Sequence, residues 1–349
     1  MTSPAAADGG AGATSGPAVQ VVATGAEPSV VLTDVVPAAP GPGEVSLRVL
    51  AAGLCFADVL MMRGMYPGTP KAPFTLGYDV VGQVEHAGPG TTLPVGTLVA
   101  GLVTRGGLSS RATVSAARLV PAPDGVDPAL LACLPLNYVT AKQLLDRMAE
   151  VRPGQTVLVH GAAGGVGTAV LDLARERDLH LLGACAGERA EVVRSFGATP
   201  IDRHGDIAAQ VGALTDGRGA DVVLDPVGGA QLAISRRCLA PTGRLVTFGY
   251  AFAALNRVSI ASVFLKQRLT IARWRLFDRS RRYLDYSITA RADDRPGEYR
   301  DDLTEVLAAA AAGRIRPLVA ARLGLADVPA AYPQLAAGSV RGKLVAVPD

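Results

Sequence analysis

Two short stretches near the start of the chain supply residue types that can bind a catalytic zinc ion. Residues 53–58 read GLCFAD and residues 77–79 read GYD, so Cys55 offers a thiol and Asp79 offers a carboxylate. A catalytic zinc site needs three protein ligands and one open position for water or substrate. Taken alone, Cys55 is therefore either a metal ligand or a residue of a pocket wall.

The glycine-rich turn HGAAGGVG at residues 160–167 is a second chemical signal. It follows the apolar run TVLVH and precedes a segment with apolar residues at helical spacing, which predicts a strand, a turn and a helix. In a dinucleotide-binding turn, Gly164 lets the backbone approach the pyrophosphate and Gly167 lets helix and strand pack closely. Ala162 replaces the first glycine of the usual pattern, and a purely structural turn is the alternative. We predict cofactor contacts from Gly164, Gly165, Val166 and Gly167.

The end of the second strand of this region indicates which nicotinamide cofactor is used. An acidic residue there would bind the ribose 2′-hydroxyl of NAD. The strand HLLGAC instead ends at Cys185, which leaves room for a 2′-phosphate. Arg189 and Arg203 could balance that phosphate, whereas Glu188 would repel it if it pointed inward. The residues favour NADPH over NADH.

The totals are those of an ordinary globular protein. The 349 residues suffice for two domains of roughly 100–200 residues each. Apolar residues make up 49% and charged residues 19%, and a net charge of +3 gives no reason to expect a nucleic-acid partner. No apolar run reaches the roughly 18 residues of a membrane span, and no basic residue precedes Arg48, so neither a membrane span nor a signal peptide is predicted. Four widely spaced cysteines indicate free thiols, so we expect a cytoplasmic protein.

The elements that must position these residues follow from the sequence pattern. Residues 1–17 are small, polar and rich in Gly and Pro, which predicts a disordered tail. Residues 18–136 alternate at period two between turn signals, which predicts a β-rich domain. Residues 137–268 alternate apolar strands with helices, which predicts a doubly wound parallel sheet. We expect residues 269–349 to return and complete the first domain, giving an α/β protein.

Several longer segments resemble the medium-chain dehydrogenase/reductase superfamily. They are RPGQTVLVHGAAGGVGTAVLDLAR, GADVVLDPVGG and the closing GKLVAVP. GLCFADVLMMRGMYPG, LNYVTA and the AAGGVG turn are similar to the quinone oxidoreductase branch, with zeta-crystallin and vesicle amine transport protein-like members. The resemblance implies a GroES-like catalytic domain, a Rossmann cofactor domain and an active site between them. It also implies homodimers joined through the cofactor domains.

The resemblance also bears on the metal. Zinc-dependent members have a cysteine at Cys55 and a histidine at the centre of a GHE triplet, where this chain has Tyr78. The third ligand position falls near Leu136, which cannot bind zinc. We therefore predict no metal, and we expect Cys55 to line the nicotinamide pocket and contact the cofactor.

Relatives imply a catalytic role for three residues of this chain. Tyr66 matches a tyrosine from which a developing enolate or quinolate oxygen would receive a hydrogen bond. A half-buried tyrosine that only packs against Pro67 is the alternative. Asn137 and Thr140 match positions next to the nicotinamide and the substrate, with helix capping as the alternative for Thr140.

The cofactor contacts implied by the resemblance come from later segments. Gly228 and Gly249 end two strands at positions where the backbone of relatives passes the nicotinamide. Lys343 matches a lysine that reaches the cofactor, and a solvated lysine is the alternative. The contacts predicted from these segments are Gly228, Phe248, Gly249 and Lys343.

These residues predict a zinc-independent, NADPH-dependent reductase that transfers a hydride to a quinone or an α,β-unsaturated carbonyl. The alternative is a non-catalytic NADPH-binding or adaptor protein of the same fold, because the glycine turn suits both. Tyr66, Asn137 and Thr140 favour the enzyme. The expected partner is a small electrophilic substrate.

Overall fold

The structure is a computed structural model that describes residues 14–249, 251–256, 258 and 260–348. Most of the predicted tail lies outside these residues. Its last two positions, Gly16 and Pro17, belong to a strand, so the predicted tail is too long at its end. No helix in the described part of the chain combines the length and the apolar content that crossing a membrane requires.

The strands alternate with helices from residue 156 onward. In chain order they are β1 (Gly16–Ala23), β2 (Ser29–Val35), β3 (Glu44–Gly53), β4 (Phe74–Thr75), β5 (Asp79–Ala87), β6 (Leu98–Leu102), β7 (Arg111–Ser115), β8 (Leu119–Pro121), β9 (Thr156–His160), β10 (His180–Cys185), β11 (Thr199–Asp202), β12 (Ala220–Asp225), β13 (Leu239–Thr247), β14 (Arg282–Asp285), β15 (Val319–Leu323) and β16 (Lys343–Ala346).

The helices are concentrated in the second half of the chain. They are α1 (Phe56–Met62), α2 (Pro128–Leu131), α3 (Val139–Gln143), α4 (Gly165–Ala174), α5 (Ala190–Ser195), α6 (Ile207–Ala213), α7 (Gln231–Arg237), α8 (Ala251–Leu255), α9 (Ile260–Phe277), α10 (Ile288–Asp294), α11 (Pro296–Ala311) and α12 (Val328–Ala336). Two π-helical segments, Leu134–Tyr138 and Leu144–Met148, flank α3. Short 3-10 turns occur at Ala116–Arg118, Gly187–Arg189 and Leu325–Asp327.

The β-rich domain is built around β3. In the described residues its main sheet has the order β15-β16-β3-β5-β6-β8, with β7 also paired to β3, and a smaller sheet has the order β2-β1-β4. Val45, Leu47 and Val49 alternate along β3 and are buried, as the period-two pattern predicted. The closing strand β16 pairs antiparallel with β3, so the end of the chain lies in the sheet formed by its first third.

The cofactor domain contains a parallel sheet in the described part of the chain, with the strand order β11-β10-β9-β12-β13-β14. Counted from β9, this is the 3-2-1-4-5-6 order of dinucleotide-binding folds, whose ligands bind where the strand order reverses. Here that point lies between β9 and β12, whose residues are almost all buried. The predicted doubly wound sheet is confirmed.

One boundary differs from the prediction. Strand β14, at residues 282–285, pairs with β13 and belongs to the cofactor sheet, although the predicted domain ended at residue 268. Its sequence, RYLD, is four residues long and exposed at both ends, so it carries little periodic signal.

The closing segment connects the two domains. Gly342 forms an isolated parallel bridge with Gly164, and its N–H donates to the carbonyl of Ala163 at 3.0 Å. Two residues later, the Leu344 carbonyl accepts from the Leu54 N–H at 2.9 Å, just before Cys55. The segment thus places the glycine turn beside the catalytic domain.

Candidate active site

The glycine turn has the space that a dinucleotide needs. Gly161 has a φ of +65°, and α4 begins directly after its N-cap residue, Gly164. A Cβ atom on Gly167 would lie 2.7 Å from the Ala162 Cα atom, so only glycine allows helix and strand to pack this closely. A Cβ on Gly164 would meet only the Gly161 carbonyl oxygen, at 3.3 Å. Since no side chain of the described residues caps this end of α4, its first N–H groups remain available for an anion.

Arginines surround the end of β10, where the sequence predicted a 2′-phosphate site. The Arg203 N–H donates to the Cys185 carbonyl at 3.0 Å, which places Arg203 beside the strand end. Burial raises the pKa of the Cys185 thiol, while the charges of Arg189, Arg194 and Arg203 lower it, so all three cations lie close to this thiol. The strand end therefore has a positive electrostatic environment.

Arg189 is already engaged within the protein. Its Nη1 donates to the Gly338 carbonyl, and its Nε lies 3.5 Å from the Glu188 carboxylate. The neighbouring Arg341 donates to the Glu188 carbonyl at 3.0 Å, a contact that the sequence did not reveal. Of the two predicted phosphate ligands, Arg203 is the more exposed and the less constrained.

Asp225 organises the backbone at the carboxyl ends of β12 and β13. One carboxylate oxygen accepts from the Val227 N–H at 2.7 Å and from the Gly228 N–H at 3.0 Å. Gly228 has a φ of +69°, and a Cβ on Gly249 would lie 2.6 Å from the Pro226 carbonyl oxygen. The predicted glycines therefore form a tight backbone ledge at the ends of β12 and β13, and the Phe248 N–H donates to the Asp225 carbonyl at 3.0 Å.

Asn137 and Thr140 lie on the helical segment that faces the glycine turn. A Cβ on Gly165 would lie 2.5 Å from the Asn137 Nδ2 atom, so the amide touches the start of α4. Thr140 is buried within α3, and its hydroxyl oxygen makes no hydrogen bond among the described residues. Helix capping is therefore the wrong explanation for Thr140. π-helical turns, such as those on both sides of it, are frequent at functional sites.

Cys55 is the N-cap residue of α1. Its N–H donates to the Asp58 carboxylate at 2.8 Å. Burial raises the pKa of the Cys55 thiol well above its usual range, and nearby Asp58 raises it further. Burial also raises the pKa of Asp58 to about 6, against the lowering effects of the Cys55 N–H and of Lys343. The Cys55 thiol is therefore neutral at pH 7 in this environment.

Lys343 forms a buried ion pair with Asp79, the carboxylate of the GYD triplet. Its Nζ lies 2.9 Å from the Asp79 Oδ2 atom, and the other oxygen of Asp79 accepts from the Gly53 N–H at 2.6 Å. Both charged side chains are buried. Lys343 is thus not solvated, and its ammonium group is bound to Asp79.

These contacts decide whether the residues fit zinc. An ammonium group beside Asp79 would repel a dication, and the described residues contain no group of three His, Cys, Asp or Glu side chains able to hold a metal. Tyr78, which stands where zinc-dependent relatives have histidine, directs its hydroxyl to Tyr66. The site does not fit zinc.

The Tyr66 and Tyr78 hydroxyl groups form a hydrogen-bonded pair on the wall of a cavity. Their oxygens are 2.6 Å apart, and the rings meet edge to face at 85°. Burial is the main cause that raises the pKa of both phenols, so both are protonated at pH 7. The cavity has a volume of about 230 Å³ and is lined by these two tyrosines together with Met61, Arg105, Arg118 and Thr289, among others.

Comparison with known proteins places this site in a family. Residues 41–124 match the model described as the alcohol dehydrogenase GroES-like domain, and residues 196–345 match the model described as zinc-binding dehydrogenase. The synaptic vesicle membrane protein VAT-1 homolog of Rattus norvegicus is 38% identical over 220 residues, which are 62% of this chain and 54% of that protein. The chain therefore spans about half the length of the VAT-1 homologs it matches.

Solved structures share the fold over almost the full chain. The Pseudomonas syringae quinone oxidoreductase aligns with a TM-score of 0.84 at 30% identity, covering 95% of this chain and 100% of that one. Mycobacterial Rv1454c, solved in complex with NADPH, aligns with a TM-score of 0.82 at 28% identity, covering 95% and 100%. The CurK enoyl reductase aligns with a TM-score of 0.80 at 25% identity, covering 96% and 99%.

One relative matches nearly end to end. The quinone oxidoreductase of Pseudomonas aeruginosa is 33% identical over 335 residues, covering 95% of this chain and 99% of that protein. Because this identity extends through both domains, the chain belongs to the medium-chain dehydrogenase/reductase superfamily, in its zinc-independent quinone oxidoreductase and VAT-1-like branch.

Proposed function

We propose that the protein is a zinc-independent, NADPH-dependent reductase that transfers a hydride to a quinone or to an α,β-unsaturated carbonyl. The observation that carries the proposal is the Tyr66–Tyr78 pair, whose phenols open onto a cavity in the catalytic domain. The relatives named as quinone oxidoreductases, and the neighbour named as an enoyl reductase, support the same reaction class.

The cofactor assignment is supported by the turn, the arginines and the neighbour solved with NADPH. Gly164, Gly165, Val166 and Gly167 would receive the pyrophosphate at the start of α4. Arg203 would bind the 2′-phosphate, and Arg189 would support it from its place on the Gly338 carbonyl.

The nicotinamide would lie over the ledge made by Gly228, Phe248 and Gly249. The buried, unpaired hydroxyl of Thr140 would donate to the nicotinamide ring or its ribose. Asn137 would contact the opposite side of the ring. Cys55 would form part of the pocket wall. Lys343 would act indirectly, because it neutralises Asp79 beneath this wall.

Bound NADPH supplies the hydride that reduces the electrophilic carbon of the acceptor. Tyr66 donates a hydrogen bond, and then its proton, to the acceptor oxygen on which negative charge develops. The two hydroxyl oxygens lie 2.6 Å apart, and in this step Tyr78 would be the donor of their hydrogen bond, which would direct the Tyr66 proton towards the substrate and stabilise the phenolate that remains. Solvent entering the cavity returns the proton to Tyr66.

This arrangement suits an acceptor that is already activated. Since the cluster around Cys55 does not fit zinc, the phenols must stabilise the oxyanion unaided by a metal. A conjugated carbonyl or a quinone needs less polarisation than an isolated ketone, because its developing charge is delocalised. Quinones, enones and enoyl thioesters are therefore the proposed substrates.

We also propose a homodimer formed through the cofactor domain. Leu265, Leu269 and Leu276 lie on one side of α9 and are 59%, 63% and 62% exposed. The C-terminal end of the same helix exposes Phe277. A second copy packed on α9 would cover this apolar surface. The four cysteines are buried free thiols, which supports the proposed cytoplasmic location.

A substrate panel tests the reductase proposal. NADPH consumption is measured with quinones, enones and enoyl thioesters, and NADPH binding is measured separately by calorimetry. We expect turnover with at least one class. Tight NADPH binding with no turnover on any class would instead identify a non-catalytic NADPH-binding or adaptor protein.

A further inference from the structure

We infer that the cavity beside Tyr66 selects acceptors that carry an anionic group, and that Arg105 binds this group. The inference rests on the proposed function for the identity of the reacting carbonyl. The charges in the cavity, the anchored backbone around Arg105 and the size of the cavity each support it.

The cavity has an unbalanced positive charge. Its charged lining residues are Arg105, Arg118 and Asp293. Arg118 forms an ion pair with Asp293, so these two charges cancel. Arg105 has no ion-pair partner among residues 14–249, 251–256, 258 and 260–348, and the Tyr66 and Tyr78 phenols are neutral at pH 7. The lining therefore carries a net charge of about +1, located on Arg105.

The backbone on both sides of Arg105 is anchored beside the tyrosines, and the Arg105 side chain is exposed. The N–H of its neighbour Thr104 donates to the Tyr78 carbonyl at 2.9 Å, and the N–H of Gly106 donates to the Thr75 carbonyl at 3.1 Å. Thr104 has a φ of +64°, a left-handed conformation that is uncommon for a non-glycine residue. Residues 104–106 are thus a strained, well-anchored turn that presents one cation beside the Tyr66–Tyr78 pair.

The chemistry of arginine defines the ligand. A guanidinium group binds carboxylate, sulfonate and phosphate through two parallel hydrogen bonds. A cavity of about 230 Å³ lies below the roughly 300–1,000 Å³ of sites for drug-sized ligands, which favours a small acceptor. The preferred substrate is therefore a small quinone or enone that bears its own anionic group, with the carbonyl at Tyr66 and the anion at Arg105.

Calorimetry with two quinones tests the inference separately from catalysis. The probes are 1,4-naphthoquinone and 1,4-naphthoquinone-2-sulfonate, titrated into the protein saturated with NADP⁺ so that no hydride is available. We expect the wild type to bind the sulfonate more tightly than the parent quinone. Arg105→Gln should weaken sulfonate binding by about tenfold, close to 1.4 kcal/mol, and change parent binding by less than about twofold.

Three further variants make the outcome specific. Arg105→Lys should retain part of the preference, because it keeps the charge but not the planar fork. Asp293→Asn should strengthen sulfonate binding, because it releases Arg118 from its ion pair. Arg111 lies on β7, outside the cavity lining, and is paired with Glu85 of β5. Arg111→Gln removes this charge and should leave the binding of both quinones unchanged.

The result that would overturn the inference is equal binding of the two quinones by the wild type, or an equal loss for both in Arg105→Gln. Turnover of these quinones with NADPH is a separate readout. Sulfonate preference without turnover would support the anion site and contradict the proposed reductase. Turnover without sulfonate preference would support the proposed reductase and contradict the anion site.

Discussion

The hydroxyl oxygens of Tyr66 and Tyr78 lie 2.6 Å apart, so two phenols share one hydrogen bond at the place where zinc-dependent relatives have a histidine ligand. Because burial keeps both phenols protonated, one proton lies between the two oxygens, and the second is the proton that the proposed reaction uses. In the proposed mechanism the pair supplies a hydrogen-bond donor where zinc-dependent relatives use a metal.

Removing each hydroxyl should separate the roles of the two phenols. Tyr66→Phe should lower kcat by about 100-fold, because general acids contribute roughly 10²–10⁴-fold. Tyr78→Phe should lower kcat by less than about tenfold, because it removes a supporting hydrogen bond worth roughly 1 kcal/mol. The control is Tyr283→Phe on strand β14 of the cofactor sheet, which loses a hydroxyl bonded to Asp278 and should have the wild-type kcat. Full turnover by Tyr66→Phe at saturating NADPH would remove the donor role.

Two glycines of the turn should respond differently to alanine. Gly164→Ala should keep the fold, since its Cβ would meet only one atom at 3.3 Å, but it should weaken NADPH binding because the methyl group occupies the proposed pyrophosphate site. Gly167→Ala should lower the melting temperature, because its Cβ would lie 2.7 Å from backbone atoms of Ala162. Calorimetric NADPH binding and thermal unfolding measure the two effects. Unchanged NADPH affinity in Gly164→Ala would contradict the placement of the pyrophosphate.

Arg203 should control the choice between NADPH and NADH. Arg203→Ala should raise the Kd for NADPH by about tenfold and leave the Kd for NADH nearly unchanged, because one charge-assisted contact to phosphate contributes roughly 1.5–3 kcal/mol. Arg189→Ala should act in the same direction and also loosen the Gly338 contact. The control is Arg218→Ala: Arg218 precedes β12 and bonds Thr156 at the start of β9, at the opposite end of the strands from Arg203. Equal losses for both nucleotides would rule out the 2′-phosphate role.

Asp58 should make stability depend on pH between about 4 and 6. Its pKa is raised by burial to about 6 in the folded protein, so in this range the folded state holds a proton that the unfolded state releases. The free energy of unfolding therefore falls as pH rises from 4 to 6 and stays lower above pH 6. A shift of about 2 pKa units corresponds to roughly 3 kcal/mol.

Asp58→Asn should flatten this dependence. The asparagine oxygen can still accept from the Cys55 N–H, and the group no longer ionises. Urea unfolding from pH 4 to pH 7 measures the effect, with the exposed Asp301→Asn on α11 as the control. The same pH dependence of unfolding free energy in the wild type and in Asp58→Asn would show instead that Asp58 is ionised in the folded protein throughout this range.

Local sequence signals predicted the parts of the fold that are local. The glycine turn and the alternation of strands and helices each lie within a few consecutive residues, and both are found where the sequence placed them. The short edge strand β14 was missed because four residues carry too little periodicity. Thr140 was open to a capping role because the sequence does not signal the π-helical turns beside it.

The chemistry of the site depends on contacts between distant segments. Tyr78 entered the sequence argument only as a missing histidine, and its bond to Tyr66 requires two separate loops to meet. Lys343 and Asp79 are separated by 264 residues, so only the return of β16 to β3 reveals that they pair. Spacing along the chain carries no information about such contacts, so the sequence left a solvated Lys343 open as an alternative.

The most direct test of the central claim is NADPH oxidation by the metal-chelated protein. The protein is dialysed against a strong chelator, its zinc content is measured, and the oxidation of NADPH is followed with the best quinone of the substrate panel. The account predicts one quinone reduced per NADPH, at a rate that chelation does not change and with no stoichiometric zinc. Activity that is lost on chelation and restored by zinc would contradict it.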